Sequence, residues 1–351
     1  YVFNENAALT AFWARPYNDN YVGDADGYQK NFMDNMDMAG LMVPLTFDGV
    51  KLTPWGMFAS IGSNTFRKND NYVGNKINGV NGGYALSGLF PLRADLLSHK
   101  EKLNAYGTAW WGGLSGEITK WDPFRIAWDV NYGSASYADQ KMNREGWLAS
   151  LLLEYKLDWG TPGIYGWYSS GDDSNPRNGS ERMPVVSANG NNDFSNFAFN
   201  GNPYIARECI LGSTMVGTWG IGARLKDVSF LEDLKHTLRV NFMGGTNAPK
   251  MAKYVRENDA LYKRGVENYG MGGDAFDPIY LTTEDYALEI GLTNTYKMYD
   301  NFTIMLDAAY IAMWLDDSRN TWGKNAMYGF ANDRNGVYDA WNVNLSFVYS
   351  F

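Results

Sequence analysis

The chain is poor in the residue types that supply cross-links, metal ligands and catalytic bases. It has one cysteine, Cys209, so no disulfide can form within the chain, and two histidines, His99 and His236, in 351 residues. Neither histidine belongs to a GxSxG, Walker A or HExxH motif. We therefore expect no enzyme activity and no resident cofactor.

Charge and long apolar runs are also scarce. Charged residues make up 20% of the chain, against a usual quarter, and the formal net charge is −9 with no basic block. Nucleic acid is therefore not an expected partner. The uncharged stretch 209–223 is interrupted by Gly, Ser and Thr, and it falls short of the ~18 apolar residues that a spanning helix requires.

Aromatic residues and glycine are abundant. The chain has 24 Tyr, 13 Trp and 38 Gly but only 11 Pro, a composition that suits long β-strands. A strand whose apolar residues alternate with polar ones hides its apolar surface from hydropathy averages. The mean hydropathy of −0.38 is therefore no argument against a membrane location.

The last thirteen residues, DAWNVNLSFVYSF, show this alternation most clearly. One row holds Trp341, Val343, Leu345, Phe347, Tyr349 and Phe351, and the other is mostly Asn and Ser. A period of two indicates a strand with different environments on its two faces. Aromatics bracket the aliphatic centre of the row, which is the girdle pattern of a strand that crosses a lipid layer. The sequence therefore predicts a transmembrane strand.

The rest of the chain repeats this pattern as a single domain over 1–351. Short turns alternate with long loops, as in antiparallel transmembrane barrels, and we read about 12 strands. The long loops are predicted at 63–102, 171–212 and 247–283. Strands are predicted at 7–16, 37–47, 50–62, 103–121, 124–133, 146–158, 164–170, 213–228, 236–246, 284–297, 302–315 and at the C-terminus.

The final strand resembles the C-terminal signature of bacterial outer-membrane porins. Two internal phrases, LTAFWARPYND at 9–19 and VKLTPWGMFASIG at 50–62, resemble the homotrimeric porins of sulfate-reducing bacteria. The resemblance implies an outer-membrane homotrimer in contact with lipid and lipopolysaccharide, and a water-filled channel for passive diffusion of small hydrophilic solutes. It also implies strands upstream of this sequence and a complete barrel of about 16 to 18 strands.

Charged residues on the rows assigned to the channel interior are the candidate pore-lining residues. A solvated wall tolerates such charges, but opposing rows of them would also bias which ions pass. The basic candidates are Arg125, Lys156, Arg224 and Arg239, and the acidic ones are Asp129, Glu154, Glu289 and Asp307.

An inward-folded loop is expected to narrow the channel, as in porins generally. Both 63–102 and 171–212 are long enough and carry apolar residues that need cover, and we favour 63–102. That choice places Arg67, Lys68, Lys76, Arg93 and Asp95 near the narrowing.

Two alternatives stay open. A selective channel for a sugar or an anion is suggested by the arginines and by the Trp110-Trp111 pair, of which only one ring can face the interior. A soluble carbohydrate-binding β protein would not explain apolar rows on so many strands. Weak calcium candidates are Asp24 and Asp26 in DADG, and the pair Asp172 and Asp173, although Asp and Gly also simply form turns.

Overall fold

The computed structural model describes residues 1–18, 35–62, 106–138, 140–186, 194–199, 210–211, 214–257, 281–323 and 339–351. These residues are nearly all β, with a short 3₁₀ helix at Gln140–Met142 and one α-helix, α1, at Pro249–Glu257. None of the described helices is long and apolar enough to cross a membrane. The strands are β1 Val2–Asn4, β2 Ala7–Ala8, β3 Thr10–Asn18, β4 Asn35–Met42, β5 Leu45–Phe47, β6 Val50–Ile61, β7 Gly107–Ile118, β8 Phe124–Ser136, β9 Arg144–Tyr155, β10 Thr161–Ser169, β11 Thr218–Leu231, β12 Leu234–Gly245, β13 Tyr286–Tyr299, β14 Phe302–Trp314 and β15 Ala340–Tyr349.

All fifteen strands belong to one antiparallel sheet. From β6 to β15 each strand pairs with the next along the chain, while β4 and β5 lie end to end along β6. Short turns such as 48–49 and 300–301 lie at one end of the strands, and the long connections lie at the other. Within the described residues β1 and β3 form one edge of the sheet and β15 forms the other, and the two edges do not pair with each other.

The two faces of the sheet have opposite character, as β15 shows. Its apolar row is exposed, with Val343 at 56%, Leu345 at 58% and Phe347 at 62% relative accessibility. The alternate row, from Asn342 to Val348, is partly buried. Other strands present apolar residues on the same face, including Ile164 at 57% and Ile221 at 61%. This exposed apolar face is called the outer face below, and the opposite face is called the inner face.

Aromatic contacts border the outer face at both ends of the strands. Trp110 contacts Tyr132 at 5.0 Å between ring centroids near the long connections, as Trp147 does Tyr168 at 5.1 Å. Near the short turns, Phe124 packs edge-on against Tyr155 at 4.8 Å. Aliphatic residues fill the space between the two borders. Girdles around an apolar band are typical of transmembrane β-barrels, and the predicted fold class is confirmed.

Several element boundaries differ from the sequence-based expectation. The predicted strand 37–47 is split into β4 and β5 at Val43-Pro44, where proline has no amide hydrogen for the sheet. The predicted strand 7–16 is likewise split into β2 and β3. These breaks, together with the short β1, raise the number of strands in the described residues to fifteen. The turn expected at 160–163 lies earlier, at Asp158-Trp159, and β10 already begins at Thr161. The predicted loop 247–283 contains α1.

The buried core lies on the inner face, where connecting segments pack against the wall. One cluster joins Leu152, Tyr165 and Trp167 of the wall to Phe194 and Phe199 from the long connection between β10 and β11. A second cluster covers the inner face of β4 to β8 and includes Met38, Ala109 and Trp111. Chain from the loops therefore occupies part of the space beside the inner face.

Candidate functional site

The structure places most of the predicted interior charges on the inner face. The exception is Lys156, which lies one residue beyond the end of β9 and is exposed. Arg67, Lys68, Lys76, Arg93 and Asp95 lie outside the described residues. The residues on the inner face are Arg125, Asp129, Glu154, Arg224, Arg239, Glu289 and Asp307.

Alternating charges form a ladder of ion pairs across the inner face of β6 to β11. Lys51 lies 3.6 Å from Glu117, which pairs with Arg125 at 2.7 Å. Arg125 also reaches Glu154 at 2.6 Å, and Glu154 pairs in turn with Arg224 at 2.7 Å. The pair between Glu154 and Arg224 is almost completely buried, with side-chain accessibilities of 5% and 2%.

A glycine on β10 allows the buried pair in this ladder to form. Gly163 is the register partner of both Glu154 on β9 and Arg224 on β11. A Cβ atom on Gly163 would lie 2.9 Å from Glu154 Cγ. The absence of a side chain on β10 therefore lets the two charged side chains meet across that strand.

The FSNFAF run, residues 194–199, lies against the inner face of β10, β12, β13 and β14 and is called the inward segment. The backbone amides of Asn196 and Phe197 both donate to Glu289 Oε1, each at 2.7 Å. Asn241 Nδ2 donates to Glu289 Oε2 at 3.1 Å and to the Phe194 carbonyl at 2.6 Å. Glu289 is 1% exposed, so a buried carboxylate fixes the backbone of the segment.

The side chain of Asn196 continues this network along the wall. Its Nδ2 donates to Thr293 Oγ1 at 3.0 Å and to Asp307 Oδ1 at 3.3 Å. Its Oδ1 accepts a hydrogen bond from Arg239 Nη1 at 3.1 Å. Thr293 Oγ1 also donates to Asp307 Oδ1 at 2.6 Å. Three predicted interior charges, Arg239, Glu289 and Asp307, therefore contact the inward segment.

Aromatic packing adds an apolar contact to the polar one. Phe194 stacks on Tyr165 with ring centroids 4.3 Å apart, and the Tyr165 hydroxyl donates to the Phe194 carbonyl at 2.9 Å. Trp167 contacts both Phe194 and Phe199 at about 6 Å. Stacked aromatic pairs contribute ~0.5–1.5 kcal/mol beyond the area they bury.

A second apolar run of the long connection between β10 and β11, residues 183–186, covers the inner face of β7 and β9. Trp111 Nε1 donates to the Pro184 carbonyl at 2.8 Å, and Met183 packs with Leu148 and Val216. The apolar runs at 183–186 and 194–199 are those that suggested 171–212 as an inward loop. The favoured alternative, 63–102, lies outside the described residues.

The Trp110-Trp111 pair does not supply an aromatic track on the inner face. Trp110 is on the outer face, 48% exposed and in contact with Tyr132. Trp111 points inward but is 4% exposed beneath Pro184. Its indole ring is therefore covered by protein.

The acidic pair Asp172 and Asp173 organises a turn in the long connection. Asp172 Oδ1 accepts hydrogen bonds from the Ser180 hydroxyl and from the Glu181 amide, and Asp173 Oδ1 accepts one from the Asn175 amide. Among the described residues no three His, Cys, Asp or Glu side chains are grouped for a metal ion. Asp24 and Asp26 are outside the described part of the chain.

Two carboxylates fix the chain where β13 and β14 meet their long connections. Asp285 Oδ2 accepts hydrogen bonds from Trp322 Nε1 at 2.9 Å and from the Thr282 amide at 2.7 Å, and burial raises its pKa. Burial opposes ionisation of Asp316 as well, but hydrogen bonds from Thr321 and Ser318 outweigh it and lower the pKa of Asp316. These hydrogen bonds fix the ends of β13 and β14 where the long connections begin.

Sequence reasoning missed the uncharged members of the inner network. Asn241 and Thr293 face the same way as the charges on their strands, and Tyr165 lies on the inner face of β10, which carries no charge. Uncharged residues on a face expected to meet water do not stand out in the sequence. The available signal was the register, since Asn241 is the partner of Glu289, and Thr293 is the partner of Asp307.

No family model matches the chain, and no curated protein matches it. Among solved structures, the chain is similar to the KdgM porin over 98% of this chain and 99% of that one, at 6% identity and a TM-score of 0.29. It is similar to Pseudomonas aeruginosa OccK11 (OpdR) at 12% identity and a TM-score of 0.39, over 89% of this chain and 59% of that one. For Pseudomonas aeruginosa OpdQ the identity is 10%, the TM-score 0.36 and the coverage 98% and 76%. Identities and TM-scores this low do not assign a function.

Proposed function

We propose that the protein is a bacterial outer-membrane porin that lets small hydrophilic solutes and ions diffuse passively through a water-filled channel. The observation that carries this proposal is the opposite character of the two faces. An exposed apolar band with aromatic borders requires a hydrocarbon solvent, because exposed apolar surface of this extent is unfavourable in water. A face lined with ion pairs, amides and hydroxyls requires water or protein.

Passive diffusion is favoured over a selective anion pathway because the arginines of the inner face already have partners within the protein. Arg125 and Arg224 are engaged with Glu117 and Glu154, and Arg239 holds the inward segment. An arginine that is already neutralised attracts an anion weakly, since the two opposite charges largely cancel at a distance. A sugar track on Trp111 is disfavoured because the ring is buried.

The inward segment is proposed to narrow the channel. Its contacts with Glu289, Asn241 and Asp307 hold it against the middle of the wall, where it takes up space that solutes would otherwise use. The more exposed part of the ion-pair ladder, Lys51, Glu117 and Arg125, is proposed to line the same passage. Glu154 and Arg224 are buried and contribute to the local field from beneath that surface. Arg239, Glu289 and Asp307 fix the segment.

The resemblance to trimeric porins extends the proposal to a homotrimer with lipid and lipopolysaccharide around it, and with no enzyme activity or nucleic-acid partner. The mass of the detergent-solubilised protein, measured before and after heating, tests the assembly. We expect a threefold larger mass before heating, and a monomer mass in both samples would remove the trimer from the proposal.

The channel itself is tested by reconstituting the full chain into planar bilayers. We expect stepwise, ohmic current increments and similar permeation of unrelated small uncharged solutes. Absence of steps at high protein-to-lipid ratio would reject the channel. Block by one sugar or one anion at micromolar concentration would replace passive diffusion with the selective alternative.

A further inference from the structure

Asp129 differs from the other carboxylates of the inner face. Its Oδ2 accepts one hydrogen bond, from Asn131 Nδ2 at 2.7 Å. No arginine or lysine of the described residues pairs with it, whereas Glu117 and Glu154 both have cationic partners. Asp129 is partly exposed, so its negative charge is available to a solute beside the wall.

An indole ring lies across one strand from Asn131, the residue that donates to this carboxylate. Trp55, Gly113 and Asn131 are register partners on β6, β7 and β8. A Cβ atom on Gly113 would lie 2.5 Å from Trp55 Nε1 and 2.3 Å from Asn131 Oδ1. The two side chains therefore converge over a glycine, and Asn131 also donates to Asp129.

Small hydroxyl residues leave room around Asp129. Thr53, Ser115, Asp129 and Ser150 are register partners on four consecutive strands. All are partly exposed, as are Trp55 and Asn131. The wall thus has a niche with one unpaired carboxylate, one aromatic ring, one amide and short hydroxyl side chains.

We propose that this niche is a subsite for small organic cations, amines or quaternary ammonium ions, on the path through the channel. The inference rests on the proposed channel function and names a solute class for it. An ammonium group is attracted both by a carboxylate and by the face of a tryptophan ring, which is the best aromatic partner for a cation. Anions are repelled by Asp129. A neutral sugar can donate hydrogen bonds to the carboxylate but lacks the Coulombic attraction that an ammonium ion gains.

The binding must be weak for the channel to conduct. A solute that binds tightly would block the passage, because conduction requires a site that is easy to leave. The lining residues are partly exposed and most are small, so a cation gains few contacts besides Asp129 and Trp55, and a dissociation constant in the millimolar range is expected. Enrichment of organic cations at the wall is then compatible with passive diffusion.

Equilibrium binding tests the subsite without relying on current. Benzyltrimethylammonium chloride is titrated into the full chain in detergent by isothermal calorimetry, with glucose as the uncharged comparison. We expect Asp129→Asn, which keeps the size of the side chain, to weaken ammonium binding about tenfold, because the Coulombic attraction is lost. Trp55→Leu should weaken it about fivefold. Trp128→Leu, on the outer face of β8 and next to Asp129 in the chain, is the matched control and should bind like the wild type.

Planar-bilayer currents then separate the niche from a general charge effect. Asp129→Asn should lower the permeability ratio of potassium to chloride, while Trp55→Leu should lower the affinity for ammonium block and leave that ratio unchanged. Ammonium binding by the wild type without any current would reject the proposed channel function and support the cation subsite. Unchanged ammonium affinity in both inner-face variants, or glucose binding as tight as ammonium binding, would overturn the subsite.

Discussion

At the scale of single residues, Glu289 shows how a buried charge can be held by neutral donors. Its two carboxylate oxygens accept the amides of Asn196 and Phe197 and the side-chain amide of Asn241. Hydrogen bonds to an ionised group are roughly twice as strong as those between neutral groups. The carboxylate therefore offsets the cost of its own burial only while the inward segment is in place.

Replacing Glu289 by glutamine should loosen the inward segment. Glutamine has one acceptor oxygen, and its amide group would meet either the Asn241 amide or the two backbone amides as a competing donor. Leaving a buried donor unsatisfied costs ~1–3 kcal/mol. We expect larger single-channel conductance and faster proteolytic cleavage of the segment.

Glu145→Gln is the control for this change, because Glu145 is an exposed carboxylate with one long hydrogen bond, from Tyr132, at 3.4 Å. It should leave conductance and cleavage unchanged. Equal conductance in wild type and Glu289→Gln would show that the segment does not depend on this carboxylate.

At the scale of elements, β15 shows what alternation can decide. The exposed row of Trp341, Val343 and Leu345 and the covered row of Asn342 and Asn344 lie as the period of two predicts. The pairing of β14 with β15 places Leu306 opposite Leu345 and Asp307 opposite Asn344, so both strands agree on the direction of the two faces.

An arginine at Leu345 should therefore oppose membrane insertion. Leu345 lies midway along β15 on the outer face, and an arginine at the bilayer midplane costs ~2–4 kcal/mol in a barrel strand. The same substitution at the neighbouring Asn344 faces the polar side and should be tolerated. Folding into lipid vesicles, followed by resistance to protease, measures both. Normal insertion of Leu345→Arg together with failure of Asn344→Arg would show that the outer and inner faces are assigned the wrong way round.

Strand existence could be predicted from the sequence, whereas the inner network could not. Alternation is a local property, so most strands lie within a few residues of their expected positions. The contacts of Asn196 reach Thr293 and Asp307, 97 and 111 residues away, and no local pattern encodes them. The apolar runs at 183–186 and 194–199 indicated that something must cover them, but not which strands do so.

The sequence also does not decide whether a residue faces inward or outward where apolar and polar residues fail to alternate. Trp110 and Trp111 are adjacent and identical, and only the register of β7 separates a girdle ring from a buried one. Trp55 could not be assigned to a face from the sequence, because it follows Pro54 in a strand whose residues alternate weakly. Its position over Gly113 depends on pairing with β7.

At the scale of the whole molecule, the ion pairs and the net charge act over different distances. The ladder from Lys51 to Arg224 contains opposite charges within 2.6 to 3.6 Å, and such pairs cancel beyond their neighbourhood. The excess of acidic residues, a formal net charge of −9, is not cancelled in this way. A solute approaching the proposed channel therefore meets a negative long-range field and a nearly neutral ladder.

This difference predicts a cation preference that depends on salt. The Debye length falls from ~30 Å at 0.01 M to ~3 Å at 1 M, so the long-range field is screened at high salt while short contacts persist. The permeability ratio of potassium to chloride, taken from reversal potentials, should exceed one in dilute salt and decline steadily towards one as salt rises. Uptake of an uncharged sugar by proteoliposomes is the control, because it should not change over the same range. A ratio below one in dilute salt would mean that the arginines of the inner face, rather than the net charge, dominate the field that solutes encounter.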